Sequence, residues 1–249
     1  MVTIDLNADL GEGCGSDEEL LSLVSSASIA CGAHAGDKQI MRVAIESALE
    51  RGVSVGAHPG YADREGFGRR ETGVTPAAIR ESVLAQLEVF AAACVDAGAT
   101  FSHVKPHGAL YNRAMREPAA AESMARAVAE FDPSLMVLCM PESRLLHAAK
   151  AAGLRAAKEA FLDRAYASAS ALVPRTDPGA VIGDPSTAAA RAERMVLSHL
   201  VTSIDGLDHA IEADSLCVHG DNPDAVALLR AARLRLEHAG VAIAPFHPA

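Results

Sequence analysis

Apolar and polar residues alternate from Val2 to Ala8, with Val2, Ile4, Leu6 and Ala8 on one side, which is the two-residue period of a β-strand. Behind this stretch, Ser16-Asp17-Glu18-Glu19 reads as a capping box that opens a helix through Val24. The succession then recurs. Short runs at 27–31, 53–57, 101–105, 135–140, 154–160, 216–218 and 241–246 predict strands, and helical spacing fills most of the intervals. Asp37 is the expected N-cap of a helix carrying Ile40, Val43, Ala44 and Ala48. Thr75-Pro76 opens another, with Ile79, Val83, Leu87, Phe90 and Cys94 as its buried stripe. Further helices are expected at 118–131, before Gly153, from Asp184-Pro185 through Leu200, and after Asn222-Pro223. Seven or eight such alternations, with no linker or repeat, predict one domain over residues 1–249: a parallel sheet with helices outside it. A closed or nearly closed (β/α) barrel accounts for that count, and an open doubly wound sheet is the other arrangement with this order.

In either architecture, sites gather beyond the carboxyl ends of the strands. Those outlets carry Asn7, Asp9 and Glu12, then His34 and Asp37, His58, Lys105 and His107, Asp163 and Arg164, and finally His219 and Asp221. The histidines divide accordingly. His34, His58, His103, His107, His219 and His247 fall at or just past strand ends, whereas His147, His199 and His238 sit in expected helices and His209 in a loop. A pocket lined by several titratable groups is a functional signature, so the first set marks a candidate site. His103 and His107 are four residues apart, about 13 Å on an extended strand. They meet only if the chain bends, which Pro106 and Gly108 permit. His107 and Lys105 are therefore the expected functional pair, with His103 left as a core or supporting histidine. The polar stretches at 63–70 and 161–175 are long for connections of this kind and read as binding loops.

Composition narrows the chemistry. A net charge of -10 argues against nucleic acid or an anionic membrane as partner, since both are bound through excess Lys and Arg. The five cysteines are scattered without a C-x-x-C pair, which fits a reducing, cytoplasmic setting. The start of the chain lacks the pattern of a signal peptide, and no apolar run reaches membrane-spanning length. There is no G-x-x-x-x-G-K-[ST], H-E-x-x-H or G-x-S-x-G, and Gly11-Glu12-Gly13-Cys14-Gly15 departs from the dinucleotide fingerprint. What remains is a site of acids, bases and cations. Asp9, His58 and His107 are either ligands of a divalent metal or members of a metal-free proton-transfer network.

Several longer motifs occur in a particular order: Asp5-Leu6-Asn7-Ala8-Asp9-Leu10-Gly11-Glu12-Gly13, Cys31-Gly32-Ala33-His34-Ala35-Gly36-Asp37, Gly56-Ala57-His58-Pro59, Asp63-Arg64 with Phe67-Gly68-Arg69, Val104-Lys105-Pro106-His107-Gly108-Ala109-Leu110-Tyr111-Asn112, Leu172-Val173-Pro174-Arg175 and Val218-His219-Gly220-Asp221. Together they resemble the LamB/YcsF family along nearly the whole chain. The resemblance implies an irregular, TIM-like (β/α) barrel related to the glycoside hydrolase and deacetylase barrels. It also implies the role of the A subunit in a bacterial ATP-dependent 5-oxoprolinase, in which two further subunits, B and C, take part and 5-oxoproline is opened to L-glutamate with ATP as co-substrate. This chain departs from the family pattern at Ala33, where a bulky residue is usual, and at Ala169-Ser170, where an acid-glycine pair is usual.

For that reaction the catalytic candidates are Asp9, His58, Lys105 and His107: Asp9 or His58 as general base, Lys105 for oxyanion stabilisation and His107 as proton donor. Arg64, Arg69 or Arg175 is expected to hold the substrate carboxylate. Asn7, Glu12, His34, Asp37, Tyr111 and His219 complete the expected binding set. Two other functions use the same residues: a stand-alone metal-dependent deacetylase or amidohydrolase, and a non-catalytic component that binds a lactam or sugar.

Overall fold

In the computed structural model, which describes residues 1–246, seven parallel strands pair in chain order: β1 (Thr3–Leu10), β2 (Ser26–Ala30), β3 (Ser54–His58), β4 (His103–Val104), β5 (Met136–Cys139), β6 (Arg155–Phe161) and β7 (Ser215–His219). β7 also pairs with β1, so the sheet closes into a barrel. Register along β1 sets Asp9 beside His219 of β7, and register between β2 and β3 sets Ala30 beside His58. A short eighth strand, β8 (Ala242–Ile243), pairs with Thr3 and Ile4 at the start of β1 and stands outside the closed ring. The expected strand 241–246 is thus mostly irregular, and His247 lies outside the described residues.

The helices follow the capping signals where those signals are isolated. Asp37 accepts from the backbone amides of Gln39 and Ile40 to open α2 after a short α1 (Asp17–Leu21), α2 itself being Lys38–Glu50. Thr75 caps α3 (Pro76–Asp96), whose expected stripe is buried. The Ser16 capping box does not form. Asp17 instead accepts from the Gly11 amide at 2.8 Å and Ser16 donates to the Gly220 carbonyl, so the acidic segment is spent on holding two outlet loops together. An unforeseen helix, α4 (Gly108–Arg116), starts at the fourth outlet and is separated by one residue from α5 (Pro118–Phe131). After α6 (Arg144–Ala151), the stretch 161–175 folds partly into a hairpin of Tyr166–Ser168 against Ala171–Leu172. The alanine-rich helix is shorter than expected. α7 (Pro185–Glu193) runs into a π-helical turn and stops at His199, whose φ of 54° is left-handed, before a second hairpin of Leu200–Thr202 and Asp208–Ala210 that contains His209. The last helix, α8 (Ala225–His238), packs on α7.

Alternation along β1 divides its side chains between two environments. Ile4, Leu6, Ala8 and Leu10 join the large apolar cluster shared with helix residues such as Leu20, Met41, Ile45 and Leu229. The intervening Asp5, Asn7 and Asp9 make cross-barrel bonds instead: Asp5 to Ser26 and Ser215, Asn7 to Glu159 and Ser215, Asp9 to Lys105. The apolar layer therefore lies between the barrel and its helices, and the barrel axis is largely polar. Such groups are tolerated in the interior because they satisfy one another.

Candidate active site

The polar axis opens at the carboxyl ends of the strands. β1 supplies Asp9 and, past Gly11, Glu12; the β2 outlet supplies His34; β3 ends on His58; and the β4 outlet supplies Lys105 and His107, all buried. His34 and His107 stack with centroids 3.8 Å apart, and His58 meets both edge-on. Two glycines of the neighbouring loop allow this crowding. A Cβ at Gly60 would stand 2.6 Å from His34 Nδ1, and one at Gly68, whose φ is +64°, would stand 2.8 Å from His34 Cβ. Phe67 closes the stack from the same loop.

The partners of the rings determine where their hydrogens lie. His58 Nδ1 is 2.7 Å from the Lys105 carbonyl and His107 Nε2 is 2.8 Å from the Phe67 carbonyl. A carbonyl only accepts, so both outer nitrogens carry hydrogen. The inner nitrogens, His58 Nε2 and His107 Nδ1, are then lone pairs in the neutral rings. They face each other at 3.0 Å, with Glu12 Oε1 3.1 Å from His107 Nδ1 and Asp9 Oδ2 3.4 Å from His58 Nε2. Converging lone pairs require a cation between them, either an added proton or a metal ion. One proton bridges two of these atoms, whereas one ion accommodates Glu12, His58 and His107 together, and a carboxylate with two imidazoles is an ordinary zinc-type donor set. These residues fit a divalent ion. His34 lies within reach of the same centre. Its ring, however, is parallel to that of His107, so the two cannot aim lone pairs at one point. His34 Nε2 instead donates to Glu12 Oε1 at 3.1 Å, and His34 Nδ1 has no hydrogen-bond partner among the described residues.

Electrostatics follow the same layout. Burial pushes His34 down to about 4 and also lowers His107. Burial acts on His58 in the same direction, but the Asp9 carboxylate beside it outweighs that effect and raises it. Burial alone would raise Asp9 and Glu12; His58 and Lys105 hold Asp9 well below the carboxylate range, and the His107 and His34 contacts do the same for Glu12.

Lys105 is the hub of the next layer down the axis. Its ammonium lies 2.7 Å from Asp9 Oδ1, 2.7 Å from Glu159 Oε1, 3.0 Å from Cys217 Sγ and 3.3 Å from Asn7 Oδ1. Burial opposes its charge, yet the flanking acids keep its pKa well above the usual value. Glu159 also accepts from Asn7 and from the Tyr111 hydroxyl, 3.1 Å each. Asn7 thus holds both Lys105 and Glu159, and Tyr111 holds Glu159 while also lining the cavity above. Sequence reasoning overlooked Glu159. Its one signal is its even spacing from Phe161 and Asp163 along the chain.

A profile of the LamB/YcsF family matches residues 4–249. The chain belongs to the LamB/YcsF family. It is 50% identical over 245 residues to the 5-oxoprolinase A subunit of Symbiobacterium thermophilum, covering 96% of this chain and 94% of that one. Among solved structures, the lactam utilization protein from Thermus thermophilus superposes with a TM-score of 0.92 at 44% identity, covering 98% of this chain and all of that one. The polysaccharide deacetylase Bc1974 from Bacillus cereus superposes with a TM-score of 0.53 at 13% identity, covering 99% and 93%, a likeness of fold. The closed barrel and the deacetylase-like architecture agree with the expected fold.

In this LamB/YcsF barrel a cavity of about 640 Å³ stands over the site, lined among others by Asp9, His58, Lys105, His107, Tyr111 and His219. In its wall His219 Nδ1 is 2.9 Å from Asp163 Oδ1, the ring lies flat on Phe161, and Nε2 makes no hydrogen bond to a described residue. Asp163 is completed by Asn222, and although burial would raise it, His219 keeps its pKa low. Arg69 and Arg175 reach the rim, where both pair with Asp221, at 2.7 and 3.2 Å. Two expected binding residues are elsewhere. Arg64 gives its guanidinium to the carbonyls of Gly32 and Gly36, bracing the second outlet, and Asp37 is occupied as the cap of α2. Neither lines the cavity. His103 is buried below the site against Ser28 and Phe246, where burial pushes it down to about 3. Gly56 leaves room for its ring, since a Cβ there would meet it at 2.1 Å. Four cysteines are buried, Cys14 is exposed, and none is paired. Among the described residues no helix is long and apolar enough to cross a membrane.

Proposed function

We propose that this chain is the A subunit of an ATP-dependent 5-oxoprolinase, cleaving the lactam of 5-oxo-L-proline to L-glutamate with the B and C subunits as partners in the cytoplasm. The observation that carries this reading is half-identity, over nearly the full length, to a protein named as the A subunit of 5-oxoprolinase. The site supports it, since a buried acid, base and cation cluster opens on a cavity large enough for a small lactam.

A lactam carbonyl is a poor electrophile. Transfer of the γ-phosphoryl group of ATP to the amide oxygen activates it; water then adds to the carbonyl carbon, and the ring C–N bond breaks as nitrogen takes a proton. A second water releases phosphate from the resulting acyl phosphate, so one ATP and two waters yield glutamate, ADP and phosphate. Asp9, on the cavity wall and held by Lys105, accepts the proton of the attacking water. Lys105 stabilises the developing oxyanion. We assign the proton donor to His219 rather than His107, because both nitrogens of His107 are engaged while His219 is oriented by Asp163 with Nε2 bonded to no described residue. Glu12, His58 and His107 would hold a divalent ion, which when bound supplies Lewis-acid polarisation. The chain lacks a Walker motif, so phosphoryl transfer draws on the partner subunits.

Opening of 5-oxoproline is to be followed with ATP, with and without co-purified partner subunits. ATP-dependent glutamate formation that requires all three is the expected result. Glutamate formation by the lone chain without ATP would point to a stand-alone amidohydrolase, and no formation by the complete complex would overturn the proposal.

A further inference from the structure

Arg164 is a buried arginine at the outlet of β6, 6% exposed, and it lines the cavity. Its Nη2 donates to the Val173 carbonyl at 2.6 Å and its Nε to the Ala180 carbonyl at 3.4 Å. These bonds fix the guanidinium plane while leaving its charge unmatched, because no carboxylate of a described residue forms an ion pair with it. Asp163, next in the chain, is taken up by His219 and Asn222. The neighbouring Arg69 and Arg175 share the single carboxylate of Asp221. This edge of the cavity therefore holds three guanidinium groups against the carboxylates of Asp221 and Asp163, and of the three only Arg164 has no direct ion pair with a described residue. Burial and the proximity of Arg175 push Arg164 down to about 10, which still leaves it a cation at neutral pH.

From this geometry we infer that Arg164, Arg69 and Arg175 form a phosphoryl-binding subsite, with Arg164 as its fixed base and Asp221 as a placeholder that yields the other two arginines to the incoming dianion. Three planar guanidinium forks offer more donors than the two oxygens of a carboxylate accept, and they suit the three oxygens of a phosphoryl group. The arginines line the same cavity as Asp9 and Lys105, so a lactam activated at its carbonyl oxygen would lie with its phosphoryl group on the arginines and its ring over Asp9 and Lys105. This identification of the phosphoryl carrier rests on the proposed reaction; the anion subsite itself rests on the charges.

The test is calorimetric titration of inorganic phosphate into the full chain, with and without saturating 5-oxoproline. Phosphate should bind, and 5-oxoproline should leave that binding in place. Arg164→Gln should weaken it about tenfold or more. Asp221→Asn, which leaves Arg164 and its backbone bonds untouched, should strengthen it by freeing two arginines. Absence of phosphate binding, indifference to Asp221→Asn, or mutual exclusion of phosphate and 5-oxoproline would overturn the inference, the last by showing that the arginines hold the lactam carboxylate. The titration uses neither ATP nor partner subunits, so it fails or succeeds independently of the turnover assay.

Discussion

β1 carries a buried aspartate toward each end of the barrel, and the two are solvated differently. Asp5 accepts from the hydroxyls of Ser25, Ser26 and Ser215, with no cation of a described residue paired to it; burial dominates and its pKa is pushed up to about 6. Asp9, four residues on, is just as buried but faces Lys105 and His58, and its pKa is held well below the usual range. Hydroxyls satisfy a carboxylate without neutralising it, whereas cations keep it charged. The amino end of the axis is thus satisfied by neutral hydroxyls and the carboxyl end, where the proposed reaction would take place, by cations, on one strand and in one alternation.

The largest effect should come from removing the cation at the charged end. In Lys105→Met, Asp9 and Glu159 lose the ammonium that lies 2.7 Å from each. Breaking a buried pair from one side costs about 3–5 kcal/mol, to be read from the urea midpoint. Turnover in the reconstituted complex should fall about a thousandfold or more. Wild-type stability in this variant would mean that the two ends do not differ as described.

A smaller effect, of opposite sense, belongs to the other end. The pKa of Asp5 is raised on folding, so its contribution to stability is full below about pH 4 and is lost as pH rises through about 6. Asp9 is lowered, and its contribution is present above the unfolded pKa and lost as pH falls through its depressed range. Asp5→Asn should remove the Asp5 slope between pH 4 and 6. Because a tenfold change in an ionisation constant corresponds to about 1.4 kcal/mol, the stability difference between variant and wild type should change across that window by on the order of 2–3 kcal/mol. Parallel urea midpoints across the window would refute the assignment.

Much of this arrangement was legible in the chain. Strand period and chain order led to the outlets, and Asp9, Glu12, His34, His58, Lys105, His107 and His219 all converge there, because residues that leave parallel strands at their carboxyl ends share one mouth. Other features were not legible, for physical reasons. Alternation on β1 marks two faces without saying which one looks inward, so the polar axis does not show in it. Asp37 and Arg64 occupy outlets as Asp9 and Arg69 do, but backbone groups claim them first, and nothing in the residue pattern marks that. Glu159 follows Lys158 in a strand that also carries Arg155, and nothing in that mixed pattern marks which of the three charges is buried. His199 ends α7 by adopting a left-handed backbone, which a histidine does not advertise.

If the reactive chemistry is confined to the carboxyl end, the most direct measurement is the rate of ATP-dependent 5-oxoproline opening by complexes carrying His58→Gln or Asp5→Asn, compared with wild type. His58→Gln should lower turnover about a hundredfold or more, while Asp5→Asn should stay near the wild-type rate at neutral pH. Near-wild-type turnover in His58→Gln, or an equal loss in both variants, would contradict the division of the barrel into a structural end and a reactive one.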